Sequence, residues 1–152
     1  MPSRRDQIRM SDQELRAYLA ESKVMQCATI GPRGYPHVVP LWYVPDGVEL
    51  SAWTYAKSQK AHNLERAPRA TVAVEDGVEY ADLRGVMMEC DVQLERNPER
   101  VVEYGVALAE RYGRGSEDMR EAFRKQAEKR VGLRFTPRRV VSWDHRKLGG
   151  SY

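Results

Sequence analysis

The sequence has no long apolar run. Nowhere in its 152 residues does a segment approach the roughly 20 consecutive apolar residues that a transmembrane helix needs. The first residues, Met1 to Gln7, also lack the apolar stretch of a secretory signal. We therefore expect a cytoplasmic protein that does not associate with membranes.

Cysteine and histidine are scarce. The two cysteines, Cys27 and Cys90, lie far apart in apolar, strand-like runs, which predicts free buried thiols in preference to a disulfide or a catalytic thiol. The three histidines, His37, His62 and His145, do not have the spacing of metal ligands. The composition therefore argues against a metal site.

An excess of one charge is missing as well. Lys and Arg outnumber Asp and Glu by only 25 to 22, whereas a nucleic-acid-binding protein has a stronger, clustered basic face. The Gly-rich fingerprint and the alternating βαβ pattern of dinucleotide-binding sheets are absent. Hydrophobic residues make up 41% of the chain, enough for one core. We expect a single domain over residues 1–152 with a frayed start over residues 1–10.

The sequence does contain a series of strand patterns separated by turns. The strand patterns cover residues 24–30, 37–44, 48–53, 70–75, 80–94, 131–135 and 140–143. Turn signals lie at residues 31–34, 46–47 and 76–77. Pro40 predicts an edge strand, a bulge or a ligand-facing bend. Gly85 predicts a bend or bulge, and Pro137 separates the last two strands.

Helical patterns lie between the strands. One begins at the cap Ser11 and ends near Ser22, a short one covers residues 59–66, and a third begins at Asn97 and Pro98. A charged fourth helix is predicted over residues 116–129. Strands in successive hairpins with helices between them predict an α+β fold, mainly antiparallel β, that closes as a barrel.

The most informative segment runs from Trp53 to Arg69, where a strand leads into the short helix. Ser58 is placed to cap this helix, and Lys60 lies in its first turn. A helix N-terminus offers unpaired backbone N–H groups and positive potential, which favour a phosphate, and a lysine adds a mobile charge. A solvated helix start is the simpler alternative.

This segment resembles the flavin-phosphate segment of the pyridoxamine 5′-phosphate oxidase-like split barrels, in Thr54, Ser58, Lys60, Leu64 and Pro68 before an apolar strand. The pattern Lys60-x-x-Asn63-Leu64 and the ending over residues 139–144 look like the flavin/deazaflavin oxidoreductases that use coenzyme F420. The resemblance covers roughly residues 15–148. It implies a six- to seven-stranded split β-barrel with flanking helices. It also implies a homodimer with F420 at the interface, and hydride transfer between reduced F420 and a small organic substrate.

The resemblance also implies a set of site residues. Ser58 and Lys60 match positions that hold the cofactor's phosphate, and residues 37–42 match the strand that lies against the flavin-type ring. The cofactor-binding residues expected in this way are His37, Val38, Val39, Pro40, Leu41, Trp42, Trp53, Thr54, Lys57, Ser58, Lys60 and Asn63. No catalytic side chain and no metal ligand are assigned.

Two departures from the oxidase pattern limit this expectation. Gln59 stands where the oxidase has an arginine, which disfavours tight FMN binding, and the oxidase's substrate-phosphate residues have no match near the C-terminus. Three alternatives stay open: the same fold with FMN or FAD, a non-catalytic deazaflavin-binding protein, and an interaction protein with an empty barrel. The aromatic residues Trp42 and Trp53 predict either core or interface packing, or a wall for a planar ring.

Overall fold

The structure is a computed structural model that describes residues 1–113 and 119–150. Within these residues the helices are α1 (Arg4–Ile8), α2 (Asp12–Glu21), α3 (Gln59–Arg66), α4 (Pro98–Arg111) and α5 (Met119–Ala127). The strands are β1 (Val24–Ile30), β2 (Pro36–Trp42), β3 (Val44–Asp46), β4 (Glu49–Tyr55), β5 (Arg69–Asp76), β6 (Arg84–Glu95) and β7 (Arg130–Asp144). Two short 3-10 helices cover Tyr80–Asp82 and His145–Leu148.

The strands form one antiparallel sheet in the order β2-β1-β5-β6-β7-β4-β3. Its two edge strands, β2 and β3, are neighbours along the chain and are separated only by Tyr43. The sheet must therefore curl until its edges approach each other at that residue. This curled half-barrel with flanking helices confirms the predicted split β-barrel.

The core fills the concave side of the sheet. Alternate residues of β1, β5 and β6 point inward, and α2 and α3 add Leu19 and Leu64. Cys27 and Cys90 belong to this core as free thiols, as predicted. Burial raises the pKa of Cys27 to about 11 and the pKa of Cys90 to about 12, so both thiols are protonated at neutral pH.

Several local predictions are confirmed. Strand β1 and helix α3 have the predicted bounds, and Asn97 caps α4 with Pro98 in its first turn. The turn between β3 and β4 contains Gly47 at φ +65°, as a tight hairpin requires. Pro40 lies on the edge strand β2, where a missing N–H is tolerated.

Three local predictions about β6 and β7 are wrong. Residues 77–83 separate β5 from β6, so the turn at residues 76–77 is not a tight hairpin. Gly85 pairs regularly with Trp143, and its missing Cβ makes room for that indole, since an added Cβ would lie 2.6 Å from a ring carbon. The irregularity instead lies beside Cys90, where Arg138 is the extra residue, and β7 continues through Pro137.

The start of the chain contains a short helix. Residues 1–10, predicted to be frayed, contain α1, whose N-terminus has a capping box between Ser3 and Asp6. Met10 is buried, and its N–H donates to Ser142 Oγ at 3.0 Å. The predicted start of the fourth helix, at residue 116, lies outside the described residues. No helix within the described ranges is long and apolar enough to span a membrane.

Candidate functional site

The junction between β4 and α3 collects polar side chains inside the barrel. Strand β4 alternates, so Thr54 points inward between the outward-facing Trp53 and Tyr55. Ser58 has extended backbone angles and its Oγ accepts the Ala61 N–H at 3.1 Å, which caps α3. The Ser58 hydroxyl also lies 3.4 Å from the Thr54 hydroxyl. The cap and the inward-facing threonine therefore form one polar patch.

Lys60 is the most unusual residue of this patch because it is a cation inside the protein. Its side chain turns inward from the first turn of α3, leaving only 7% of the residue exposed. Its Nζ donates to Thr54 Oγ1 at 2.9 Å, and no carboxylate of the described residues pairs with it. Burial lowers the pKa of Lys60, the direction expected for a charge withdrawn from water. A buried ammonium with one neutral acceptor is poorly compensated, and an anionic ligand would compensate it.

Asn63 connects this patch to strand β1. It is fully buried, and its Nδ2 donates to Thr29 Oγ1 at 3.0 Å. Its Oδ1 accepts from Gln59 Nε2 at 2.8 Å. Gln59, in the first turn of α3, therefore orients Asn63. Asn63 holds α3 against the sheet with both ends of its amide engaged.

Strand β2 lies beside this connection because His37 is paired with Thr29 in the β1–β2 ladder. His37, Val39 and Leu41 are half-buried, whereas Val38 and Pro40 are exposed on the convex face. The His37 Nδ1 atom is buried and has no hydrogen-bond partner in the described part of the chain. The strand expected to face a planar ring is thus an edge strand that pairs with β1, the strand to which Asn63 binds.

Trp42 ends β2 in a stacked aromatic pair. Its ring lies 4.2 Å from that of Tyr112, with 6° between the ring planes. The Tyr112 hydroxyl donates to the Lys23 carbonyl and accepts from the Tyr43 N–H at 3.1 Å. Sequence reasoning missed Tyr112, since nothing local indicates a contact across 70 residues. The stack gives this end of β2 a flat, immobilised aromatic wall.

Trp53 lies elsewhere. Its ring faces outward from β4 into a second apolar cluster with α4 and α5, where it meets Phe123 edge to face at 5.8 Å and covers Gly105. Lys57 is exposed in the loop before α3. Among the predicted residues, the structure therefore brings Thr54, Ser58 and Lys60 into contact. Asn63 lies on the same helix and binds β1, which pairs with β2. The structure leaves Lys57 at the rim and Trp53 on the opposite face.

A groove of about 710 Å³ lies beside the end of β1, the start of β5 and the middle of β6. Its lining includes Ile30, Pro36, Arg69 and Arg138, and contains no residue of α3. Arg138 pairs there with Asp91 at 2.7 Å. Volume alone does not identify the site, and the uncompensated charge of Lys60 is the stronger chemical indication of a ligand.

Comparison with known proteins agrees with this architecture. A family profile described as Pyridoxamine 5′-phosphate oxidase matches residues 11–144. No curated protein gives a significant match. Among solved structures, a conserved hypothetical protein of Mycobacterium tuberculosis is 41% identical, with a TM-score of 0.89 over 99% of this chain and 95% of that one.

More distant structures share the fold. An F420 reductase is 22% identical, with a TM-score of 0.65 over 82% of this chain and 94% of that one. The heme storage protein HutZ of Vibrio cholerae is 18% identical, with a TM-score of 0.67 over 86% and 93% of the two chains. At these identities the likeness establishes the fold alone, and the two proteins carry different ligands by their names.

Proposed function

The chain belongs to the pyridoxamine 5′-phosphate oxidase family, and on this premise we propose that it is an oxidoreductase that uses coenzyme F420. The observation that carries the proposal is the buried Lys60, whose ammonium has only the Thr54 hydroxyl as a partner among the described residues. The F420 reductase of the same fold supports the choice of cofactor.

The residues of the junction fit a phosphate. Lys60 brings a positive charge that no carboxylate within residues 1–113 and 119–150 pairs with, and the first-turn N–H groups of α3 have no partner within the helix. The helix dipole adds positive potential at the same place. Ser58 and Thr54 contribute hydroxyl groups that both donate and accept. A phosphate bound there would neutralise the charge that burial makes costly.

Strand β2 and the wall beside it fit the planar part of the cofactor. When bound, reduced F420 supplies the hydride that a substrate carbon accepts. The contribution of this chain is to orient the ring along β2, and rigid strands hold such geometry well. The stacked pair of Trp42 and Tyr112 limits the motion of the strand end.

The dimer belongs to the same proposal. The convex face of β2, β1, β5 and β6 is apolar for a surface. Its outward residues include Val24, Ile30, Val38, Pro40, Trp42, Ala73 and Met87. A second copy of the chain is the occupant we propose, because a continuous exposed apolar face marks an association surface.

A substitution at the centre of this face tests the dimer. Ala73 lies on β5 between Gln26 and Met87. Ala73→Arg places a charge in the proposed interface and should convert the dimer to monomers, measured as mass by light scattering. A wild-type protein that is already monomeric would refute the dimer, whatever its cofactor.

The cofactor proposal is tested by titrating the protein with F420 and, separately, with FMN and heme. Wild-type protein should bind F420 most tightly. Lys60→Met removes the charge while retaining an unbranched side chain, and should weaken F420 binding by about 1.5–3 kcal/mol, the worth of a charge-assisted hydrogen bond. Lys60→Arg should retain more of the affinity because it keeps the charge.

An exposed lysine provides the matched control. Lys125 lies on the solvent side of α5, and Lys125→Met should leave F420 affinity unchanged. Tighter binding of FMN or heme than of F420 would contradict the choice of cofactor. Equal F420 affinities for wild type and Lys60→Met would contradict the phosphate site instead. Oxidation of the reduced cofactor by candidate acceptors then separates an enzyme from a non-catalytic binding protein.

A further inference from the structure

Two half-buried arginines of this protein stack on pairs of aromatic rings. The Arg111 guanidinium lies 4.6 Å from the Tyr43 ring centre and 5.2 Å from that of Tyr112. The Arg130 guanidinium lies 4.5 Å from Trp53 and 4.2 Å from Tyr55. The two residues have the same chemistry and nearly the same aromatic packing, so their hydrogen bonding can be compared directly.

Arg111 is fully engaged. Its guanidinium donates to the carbonyls of Tyr43, Leu19, Ala20 and Ser22 at 2.6, 3.1, 3.0 and 2.6 Å. It also donates to the Tyr112 hydroxyl at 2.7 Å. These acceptors account for a purely structural cation, which joins the end of α2 to the corner between β2 and β3.

Arg130 has no comparable set of acceptors. Its Nε is buried without a partner, and none of its guanidinium nitrogens forms a hydrogen bond or ion pair with a residue in the described ranges. Arg130 follows the end of α5, yet it donates to none of the helix's described carbonyls and so does not cap it. A buried guanidinium nitrogen without a hydrogen-bond partner is costly, and native structures normally satisfy such groups.

The surroundings of Arg130 are cationic and open. Arg130 pairs with Tyr55 in the β4–β7 ladder, and the adjacent Ala56 N–H donates to the Lys129 carbonyl at 2.8 Å. This brings Lys129 close to the loop that carries Lys57, and both lysines are exposed. Tyr55 is 57% exposed, so solvent reaches the stack. The backbone therefore brings Lys57, Lys129 and Arg130 to one rim of the β4–α3 junction.

We propose that Arg130 binds an anionic group, a phosphate or a carboxylate, at this rim. Trp53 and Tyr55 hold the guanidinium plane fixed, and a fixed guanidinium fork matches the paired oxygens of either group. Because Thr54 points inward and Trp53 and Tyr55 point outward, this subsite is distinct from the Lys60 site across the strand. The anion comes either from a second acidic group of the ligand held at Lys60 or from a separate molecule.

The test follows the Nε–H signal of Arg130 by nitrogen–proton correlation NMR of the full-length protein. Burial protects this proton from exchange, so the signal should be visible, and Arg130→Lys assigns it by its loss. Titration with inorganic phosphate, and then with pyrophosphate, should shift it saturably. Arg130→Gln should raise the pyrophosphate dissociation constant, measured by calorimetry, by about tenfold or more. The matched control is Arg134, which already pairs with Glu49, so Arg134→Gln should leave that constant unchanged.

Titration with F420 and with FMN identifies the source of the anion. If F420 shifts the Arg130 signal in the wild-type protein and the shift is weaker in Lys60→Met, one ligand spans both sites. A shift by pyrophosphate that persists in Lys60→Met indicates a separate anion, and it supports the subsite even if the F420 proposal fails. Absence of a saturable shift with all four anions, in a protein with native chemical shifts elsewhere, would overturn the proposal.

Discussion

Two regions of this protein each withdraw a cation from water, and they differ in the number of hydrogen-bond acceptors that surround it. At the corner between α2, β2 and α4, Arg111 donates to four backbone carbonyls and one hydroxyl. At the β4–α3 junction, Lys60 has a single neutral acceptor in the described chain. The first arrangement satisfies itself and stabilises the fold. The second leaves a buried charge without a compensating partner, and such a charge is typical of a ligand-binding site.

The comparison predicts opposite effects on stability. Arg111→Leu removes five hydrogen bonds that join the end of α2 to the corner between β2 and β3, so the free energy of unfolding should fall by about 2–4 kcal/mol. Lys60→Met replaces a poorly compensated charge by an apolar side chain and should leave stability unchanged or raise it by about 1 kcal/mol. Urea unfolding of both variants measures the difference.

An exposed arginine serves as the reference for Arg111. Arg124 lies on α5 with a weak ion pair to Glu121 at 3.5 Å, and Arg124→Leu should change stability by no more than about 0.5 kcal/mol. Equal losses for Arg111→Leu and Lys60→Met would mean that both cations are structural, and the distinction between the two regions would not hold.

The next largest effect on stability concerns the hydrogen bond between Asn63 and Thr29, which holds α3 to β1. Thr29→Val keeps the shape of the side chain but removes the acceptor of Asn63 Nδ2 in a fully buried place, which should cost about 1–3 kcal/mol. The double variant Thr29→Val with Asn63→Leu removes both partners and should recover part of this loss in a double-mutant cycle. An additive cycle would show that the two side chains do not interact.

A smaller effect separates the two roles of Ser58. Ser58→Ala removes the cap of α3 and should lower the free energy of unfolding by about 1 kcal/mol. Ser58→Asp retains a good cap, so stability should stay near the wild-type value, while its negative charge repels a phosphate. Affinity for F420 should therefore fall in Ser58→Asp without loss of stability, as compared by thermal unfolding and fluorescence titration.

Much of the fold was predictable because its signals are local. An apolar, strand-like run identified β1, and the Ser58 cap and the short helical pattern identified α3 with its observed bounds. Thr54, Ser58 and Lys60 lie within seven residues of one another, so one strand–helix junction was enough to bring them together. Their mutual contacts follow from strand alternation and helix capping, which act over short distances along the chain.

The parts of the fold and of the candidate site that were not predictable depend on contacts between residues far apart along the chain. Tyr112 reaches Trp42 and Arg130 reaches Trp53 across about seventy residues, and single-sequence patterns contain no distance information of that kind. Glycine is ambiguous in a strand, because it marks either a bulge or a close neighbour. The sequence predicts a bend or bulge at Gly85, but this glycine has a close neighbour instead, since it accommodates the Trp143 ring.

The dependence of stability on pH gives the finest test of the comparison. Burial lowers the folded-state pKa of Lys60 below its ordinary value of 10.5. Between those two values the unfolded chain binds more protons than the folded one, so this residue makes the free energy of unfolding rise with pH in that window. Tyr43 has the opposite effect on the free energy of unfolding. Burial raises its pKa to about 12, so above pH 10 the folded state binds more protons than the unfolded chain and the free energy of unfolding falls as pH rises. The quantity to measure is therefore the difference between wild type and Lys60→Met in urea unfolding. The difference in free energy of unfolding that favours Lys60→Met should shrink as pH approaches 10.5. A difference that is constant with pH would mean that folding does not lower the pKa of Lys60.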